Sequence, residues 1–202
     1  EQIGRIIADL KARDLLEKTL ILYIADHGDM TGDHHLWRKS YAYEASARVP
    51  MLVRWPGSMK LSAERGQLLS QPVELRDIAP TLLDAAGAKT PKSVDGRSLL
   101  DLVRGKVEGW REFIDLEHDI CYSAENHWNA LTDGRWKYVY HASDGHEQLF
   151  DLESDPGELR DLARDPARAA ALKDWRERMV EHLAERRSEE RRVGKACRSR
   201  WS

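Results

Sequence analysis

"TLILYIADHGDMTGDHHLWRKSYAYEASARVPMLVRWPG", residues 19–57, holds two apolar runs of strand length around a loop dense in acids, imidazoles and cations. The first run, Thr19 to Ala25, is continuously apolar, which predicts a central parallel strand buried on both faces. The second, Val49 to Gly57, is rich in apolar and β-branched residues and stops at Pro56-Gly57, so it predicts another strand. Ahead of them, Ile3, Ile6, Ile7 and Leu10 share one face of a helical pattern. Helix followed by strand is the rhythm of an α/β sheet. In open sheets of that class, ligands bind beyond the carboxyl ends of strands, and Asp26-His27-Gly28 falls at such an end.

Beyond residue 57 the same rhythm continues for a while. "PVELRDIAPTLLDAAG" (72–87) predicts helix, with Pro80 expected to kink it or divide it into two short pieces and Gly87 as its stop. "DGRSLLDLVRG" (95–105) predicts a short helix. From about residue 110 the pattern changes to short strands, "REFIDLE", "WNALTD", "RWKYVYH" and "EQLFDLE", punctuated by "TDGR" and "SDGH". Asp-Gly between such runs signals hairpins, so a small antiparallel sheet is expected. A helix follows, with Pro166 near its start and Leu172, Trp175, Met179 and Leu183 along one side. The expected organisation is an α/β portion over 1–109, an α+β subdomain over 110–187 and a separate tail over 188–202. The tail, "SEERRVGKACRSRWS", has no discernible period and looks like a translated sequencing adapter, so it is set aside as non-native.

Composition narrows the function classes. The 202 residues are 41% hydrophobic and 33% charged, as in a globular protein. A net charge of −3 provides no basic footprint for nucleic acid or an anionic membrane surface. No apolar stretch has the length of a membrane span. Cys121 and Cys197 lie in no metal-type or disulfide-framework spacing. The first residues are already inside a helical pattern and lack Met, which suggests a fragment whose N-terminal part lies upstream.

The loop carries the chemistry. Asp26 and His27 could share a divalent cation if the strand breaks there, and Gly28 would permit the break through its backbone freedom. Two donors are half a metal site. The alternative is a helix cap or Asx turn by Asp26 with His27 on the surface. Arg38 and Lys39 could hold an anion next to such a cation, or be ordinary solvated charges. His34 and His35 could donate to an anion or a leaving oxygen, the alternative for His35 being simple packing beside Leu36 and Trp37.

Taken in order, Asp26-His27-Gly28, Lys39, Tyr43-Glu44, Arg48-Val49-Pro50 and Pro56-Gly57 resemble the sulfatase family of the alkaline-phosphatase-like superfamily. "LTDGRWKYVYH" and "EQLFDLESDPGEL" are similar to that family's C-terminal subdomain. The resemblance covers residues 1 to about 187. It implies the C-terminal part of an alkaline-phosphatase-like α/β sandwich followed by a small α+β subdomain with an antiparallel sheet and a terminal helix. It further implies calcium-dependent hydrolysis of an aryl or carbohydrate sulfate ester. Asp26 and His27 would be two Ca2+ ligands, and Lys39 would bind the sulfate near its bridging oxygen. The nucleophile would be a formylglycine made within a Cys/Ser-x-Pro/Ala-x-Arg motif. Neither cysteine fits it: Cys121 continues Tyr-Ser-Ala and Cys197 continues Arg-Ser-Arg. The nucleophile and the remaining metal ligands are therefore expected upstream, and the chain alone is expected to be inactive.

Glu117, His118, Asn126, His127 and Trp128 cluster where the subdomain could read a substrate, Trp128 by stacking and His118 and His127 by hydrogen bonding. Ordinary hairpin decoration is the alternative. Two other functions stay open. One is a phosphate or phosphonate ester hydrolase of the same superfamily, in which His34, His118, His127, His141 or His146 would complete a second metal. The other is a non-catalytic anion-binding module.

Overall fold

The computed structural model describes residues 1–61, 63–120, 123 and 126–198, with side chains through Arg186. Cys121 lies outside the described residues, as do the side chains of the 188–202 tail. The chain divides into two compact units. One comprises Glu1–Lys39 and Ala45–Ile114, the other Ser40–Glu44 and Asp115–Ser202.

The first unit opens with helix α1 (Gln2–Ala12). Strand β1 (Ile21–Ile24) follows, then the short helix α2 (Glu44–Ala47) and strand β2 (Met51–Arg54). The expectation of a central parallel strand fails here. Among the described residues β1 has one neighbour, β2, and the pairing is antiparallel, with Tyr23 opposite Leu52. Both of these side chains are exposed, at 46% and 57%, so one face of the pair is open. An apolar run reports burial potential but not strand direction, and the nearest apolar run along the chain became the partner. The apolar stripe of α1 is uncovered in part, with Ile3 and Ile6 exposed and Ile7 and Leu10 half-buried.

Helix α3 (Ile78–Ala85) is preceded by a 3-10 turn at Leu75–Asp77. Pro80 sits in its first turn, where no intrahelical N–H is required, so it produces two pieces rather than a kink. Gly87 adopts φ 69° and ends the helix, its N–H donating to Asp84 O at 3.0 Å. Helix α4 (Leu99–Val103) packs beside α3 and buries Leu99, Leu100 and Leu102. The fully buried Asp77 ties the region together. It receives both Arg111 guanidinium nitrogens at 2.6 Å and the Arg97 N–H at 2.8 Å. A buried carboxylate is stable only when charges and donors surround it in this way.

In the second unit, strands β3 (Ile114–His118), β4 (Trp128–Thr132), β5 (Trp136–His141) and β6 (Glu147–Asp151) form one sheet in that order. β4–β5 and β5–β6 are antiparallel. Both Asp-Gly signals produced turns. Gly134 and Gly145 take positive φ, and Asp133 accepts the Arg135 and Trp136 N–H groups. Helix α5 (Ala169–Arg198) buries Leu172, Trp175 and Met179. Its backbone continues through the segment with no apolar period, which suits the helix-favouring Glu and Arg residues there.

Arg176 of α5 grips Glu147 of β6 at 2.7 Å through two nitrogens, and the Tyr138 hydroxyl donates to the same carboxylate. The Arg176 hydrogen bond holds the Glu147 carboxyl below its ordinary range against the cost of burial. A depressed folded pKa gives stability that is present above the unfolded value, about 4.3, and lost as pH falls through the folded one. Arg176→Ala is therefore expected to destabilise the protein at pH 7, with a gap from wild type that narrows at pH 3. Urea denaturation at both values checks this, and an equal gap at both would refute the coupling.

Candidate active site

β1 delivers the chain to Asp26 and His27. The Asp26 carboxylate is open to solvent and accepts the His27 N–H at 3.1 Å. The His27 Nδ1 lies 2.6 Å from the Gly28 carbonyl oxygen. A carbonyl only accepts, so Nδ1 carries the proton, and in the neutral imidazole the lone pair is on Nε2. That nitrogen is 3.7 Å from Asp26 Oδ2. A carboxylate oxygen and a directed imidazole lone pair this close fit two positions around one divalent cation. The imidazole nitrogen also accommodates zinc or manganese, so the donors do not by themselves impose calcium. Among the described residues, no group of three His, Cys, Asp or Glu side chains is placed to share a metal.

Gly28 is required for a different reason than backbone freedom. Its φ is not in the left-handed region, but a Cβ there would lie 2.0 Å from the Ala45 carbonyl oxygen. The Gly28 N–H donates to Ser46 O at 2.8 Å, which seats the turn against α2. Close backbone approach, rather than a strand break, explains the glycine.

The loop then folds back on itself. Asp29 Oδ1 accepts the N–H groups of Thr31 at 3.0 Å and Arg38 at 3.2 Å. The Met30 N–H donates to Arg38 O at 2.8 Å, and the Met30 side chain is fully buried beneath. The backbone of Arg38 is thereby returned to a point two to three residues beyond His27, and Lys39 follows at once. Thr31, His34, His35, Arg38 and Ser40 all have positive φ, between 45° and 86°. Each such non-glycine residue costs about 1–3 kcal/mol and persists only where its surroundings hold it. Arg38, Lys39 and His35 are exposed, and His34 is half-buried. Among the described residues, no hydrogen bond or ion pair reaches the Lys39 ammonium. Asp26, His27, His34, His35, Arg38 and Lys39 thus all belong to one loop system of the first unit.

The residues picked out around 117–128 belong to the second unit. Trp128 is a core residue, 5% exposed, packed with Ala42, Ala130, Val139 and Phe150. One ring neighbour is His118, stacked at 5.9 Å and 17°, and its indole N–H donates to Ser40 O at 3.0 Å. This corrects the expectation that Trp128 stacks on a substrate, since the ring is already enclosed by its own core. His118 Nδ1 donates to the Asn126 carbonyl, and Glu117 is engaged by Arg186 of α5. His127 is half-buried, with its carbonyl accepting the Ala142 N–H. His141 and His146 face each other across the β5–β6 turn at 5.6 Å.

A cluster escaped the sequence reading. Lys137 is fully buried, and its ammonium reaches Ala42 O at 2.9 Å, Glu44 at 2.7 Å and Glu158 at 2.8 Å. The second Glu158 oxygen accepts the Glu44 N–H at 2.6 Å. Burial pushes the Glu158 carboxyl above its ordinary range, while the Lys137 charge opposes the shift. The signal was present: Lys137 alternates with Val139 on an inward face of β5, where a lysine demands a buried counter-charge.

Comparison with known proteins places these features. Residues 32–186 match the family described as N-sulphoglucosamine sulphohydrolase, C-terminal. The chain is 42% identical over 161 residues to an arylsulfatase of Clostridium perfringens, covering 80% of this chain and 33% of that protein. It is 39% identical over 188 residues to a choline-sulfatase of Rhizobium meliloti, covering 90% of this chain and 35% of that protein. The solved structure of a phosphonate monoester hydrolase from Silicibacter pomeroyi matches with a TM-score of 0.76 at 33% identity, over 91% of this chain and 38% of that one. The chain spans about a third of the length of the curated relatives it matches. Its ordered motif from Asp26 to Gly57, its fold and these similarities agree: the chain belongs to the sulfatase family.

Proposed function

We propose that the protein hydrolyses a sulfate ester, with the loop after β1 supplying part of a metal site and the cation that binds the sulfate. The observation that carries this is the pairing of Asp26 with a His27 whose free nitrogen lies 3.7 Å from the carboxylate, on a folded-back loop that leads directly to the exposed Lys39. Asp26 would provide charge to a divalent cation, taken to be Ca2+, and His27 would provide Nε2. Such an ion, when bound, polarises an ester's anionic oxygens and favours a deprotonated nucleophile. The nucleophile, proposed to be formylglycine, would come from outside residues 1–202. Lys39 would meet the sulfate oxygens as a point charge, offsetting charge that grows on the bridging oxygen. Arg38 adds positive potential beside it, and His35 and the half-buried His34 are assigned hydrogen bonding to the anion or the leaving oxygen.

The similarity to a phosphonate monoester hydrolase gives a second reading specific support, because both chemistries need a metal and a cation around a tetrahedral anion. Rates of the full-length protein on 4-nitrophenyl sulfate and on a 4-nitrophenyl phosphonate monoester separate them. The sulfate ester is expected to have the higher kcat/KM, and a metal chelator is expected to suppress it. A higher kcat/KM for the phosphonate would replace the first reading with the second. No turnover of either or of a carbohydrate sulfate, with inorganic sulfate still bound, would favour anion binding as the function.

A further inference from the structure

We infer that Trp128 is a positioning residue for Lys39, acting through the backbone of Ser40; this rests on the reading of Lys39 as the sulfate-binding cation. Lys39 stands between two residues of strained backbone, Arg38 at φ 69° and Ser40 at φ 86°. Neither is glycine, so each would relax if released. Arg38 is held on one side by the Asp29 carboxylate and the Met30 N–H. Ser40 is held on the other by the Trp128 indole, whose N–H can only donate and which is 95% withdrawn from solvent. The ring is itself fixed by stacking on His118, which the Asn126 carbonyl orients. Two further anchors follow at alternate residues: Lys137 on the Ala42 carbonyl and Glu158 on the Glu44 N–H. The five residues after Lys39 are therefore pinned at positions 40, 42 and 44, although Lys39 itself touches none of these groups. A side chain on four flexible carbons gains a defined location only if its backbone has one.

Trp128→Phe removes the donor while keeping an aromatic ring against His118 and the core. In the full-length protein, kcat on an aryl sulfate is expected to fall between about tenfold and a hundredfold, with KM changed far less. When Lys39→Ala is already present, the same substitution is expected to have little further effect on residual kcat, because the group being positioned is gone. Amide exchange measured alongside should quicken at residues 39–42 while β5 amides stay protected, which separates loosening of the loop from loss of fold. Two results would overturn the inference alone. One is wild-type kcat in Trp128→Phe. The other is an equal fractional loss from Trp128→Phe whether Lys39 is present or has been replaced by alanine. Full activity of Lys39→Ala by itself would instead overturn the role of Lys39, and the inference with it.

Discussion

Lys137→Met should cost about 3–5 kcal/mol of stability, the expected cost of removing one partner from a buried ion cluster. Methionine refills much of the volume, so the loss would not come from a cavity. It would come from two carboxylates, Glu44 and Glu158, and the Ala42 carbonyl, which now share one ammonium at 2.7–2.9 Å and would be left without it. The charge origin can be tested separately. Changing Glu44 and Glu158 to Gln together with Lys137→Met should recover part of the loss, because no buried charge then remains. Acid should also help the single variant. Glu158 already has its pKa raised by burial, and loss of Lys137 removes the charge that opposes the shift. A raised folded pKa contributes stability below the unfolded value, about 4.3, that disappears as pH rises through the folded one. The deficit against wild type should therefore shrink as pH is lowered from 7 to 4. Urea denaturation followed by tryptophan fluorescence would show this, and a deficit independent of pH would point to packing instead.

Lys39→Ala should lower kcat by about 10²–10³-fold, the effect of removing one preorganised group facing developing charge, or about 2.7–4 kcal/mol. Stability should barely change, within about 0.5 kcal/mol, since the side chain is exposed and makes no ion pair among the described residues. Lys39 and Lys137 have opposite assignments for one physical reason. Among the described residues, Lys137 is surrounded by counter-charges and Lys39 by none. Lys39→Arg should recover only part of the rate, because a planar fork does not reproduce a compact ammonium. Steady-state kinetics with thermal denaturation checks both, and near-normal turnover of Lys39→Ala would remove it from the site.

Local rules accounted for the parts of the structure that are local. The Asp-Gly turns, the Gly87 stop and the Leu172–Trp175–Met179 seam each depend on a few neighbouring residues, and each is found where periodicity and turn chemistry place it. Long-range matters were less visible. The direction of β1 depends on which strand lies beside it, and the apolar run Thr19–Ala25 is the same for either answer. In sequence Gly28 suggests backbone freedom, whereas its reason is the Ala45 carbonyl 2.0 Å from where a Cβ would sit. From sequence alone Trp128 fits either a substrate-stacking ring or ordinary hairpin decoration, and its surroundings show a core residue with a directed N–H. The three motif fragments that contain Glu44, Lys137 and Glu158 are each recognisable separately, yet only coordinates show that they meet in one buried cluster.

If Asp26 and His27 grip a divalent cation, the metal content of the purified full-length protein depends on Asp26. Elemental analysis should find bound calcium in the wild type and little or none in Asp26→Ala, with circular dichroism unchanged because the Asp26 side chain is solvent-open. Equal metal content in the two proteins would contradict the ligand role of Asp26, and zinc or manganese in place of calcium in the wild type would contradict calcium as the ion.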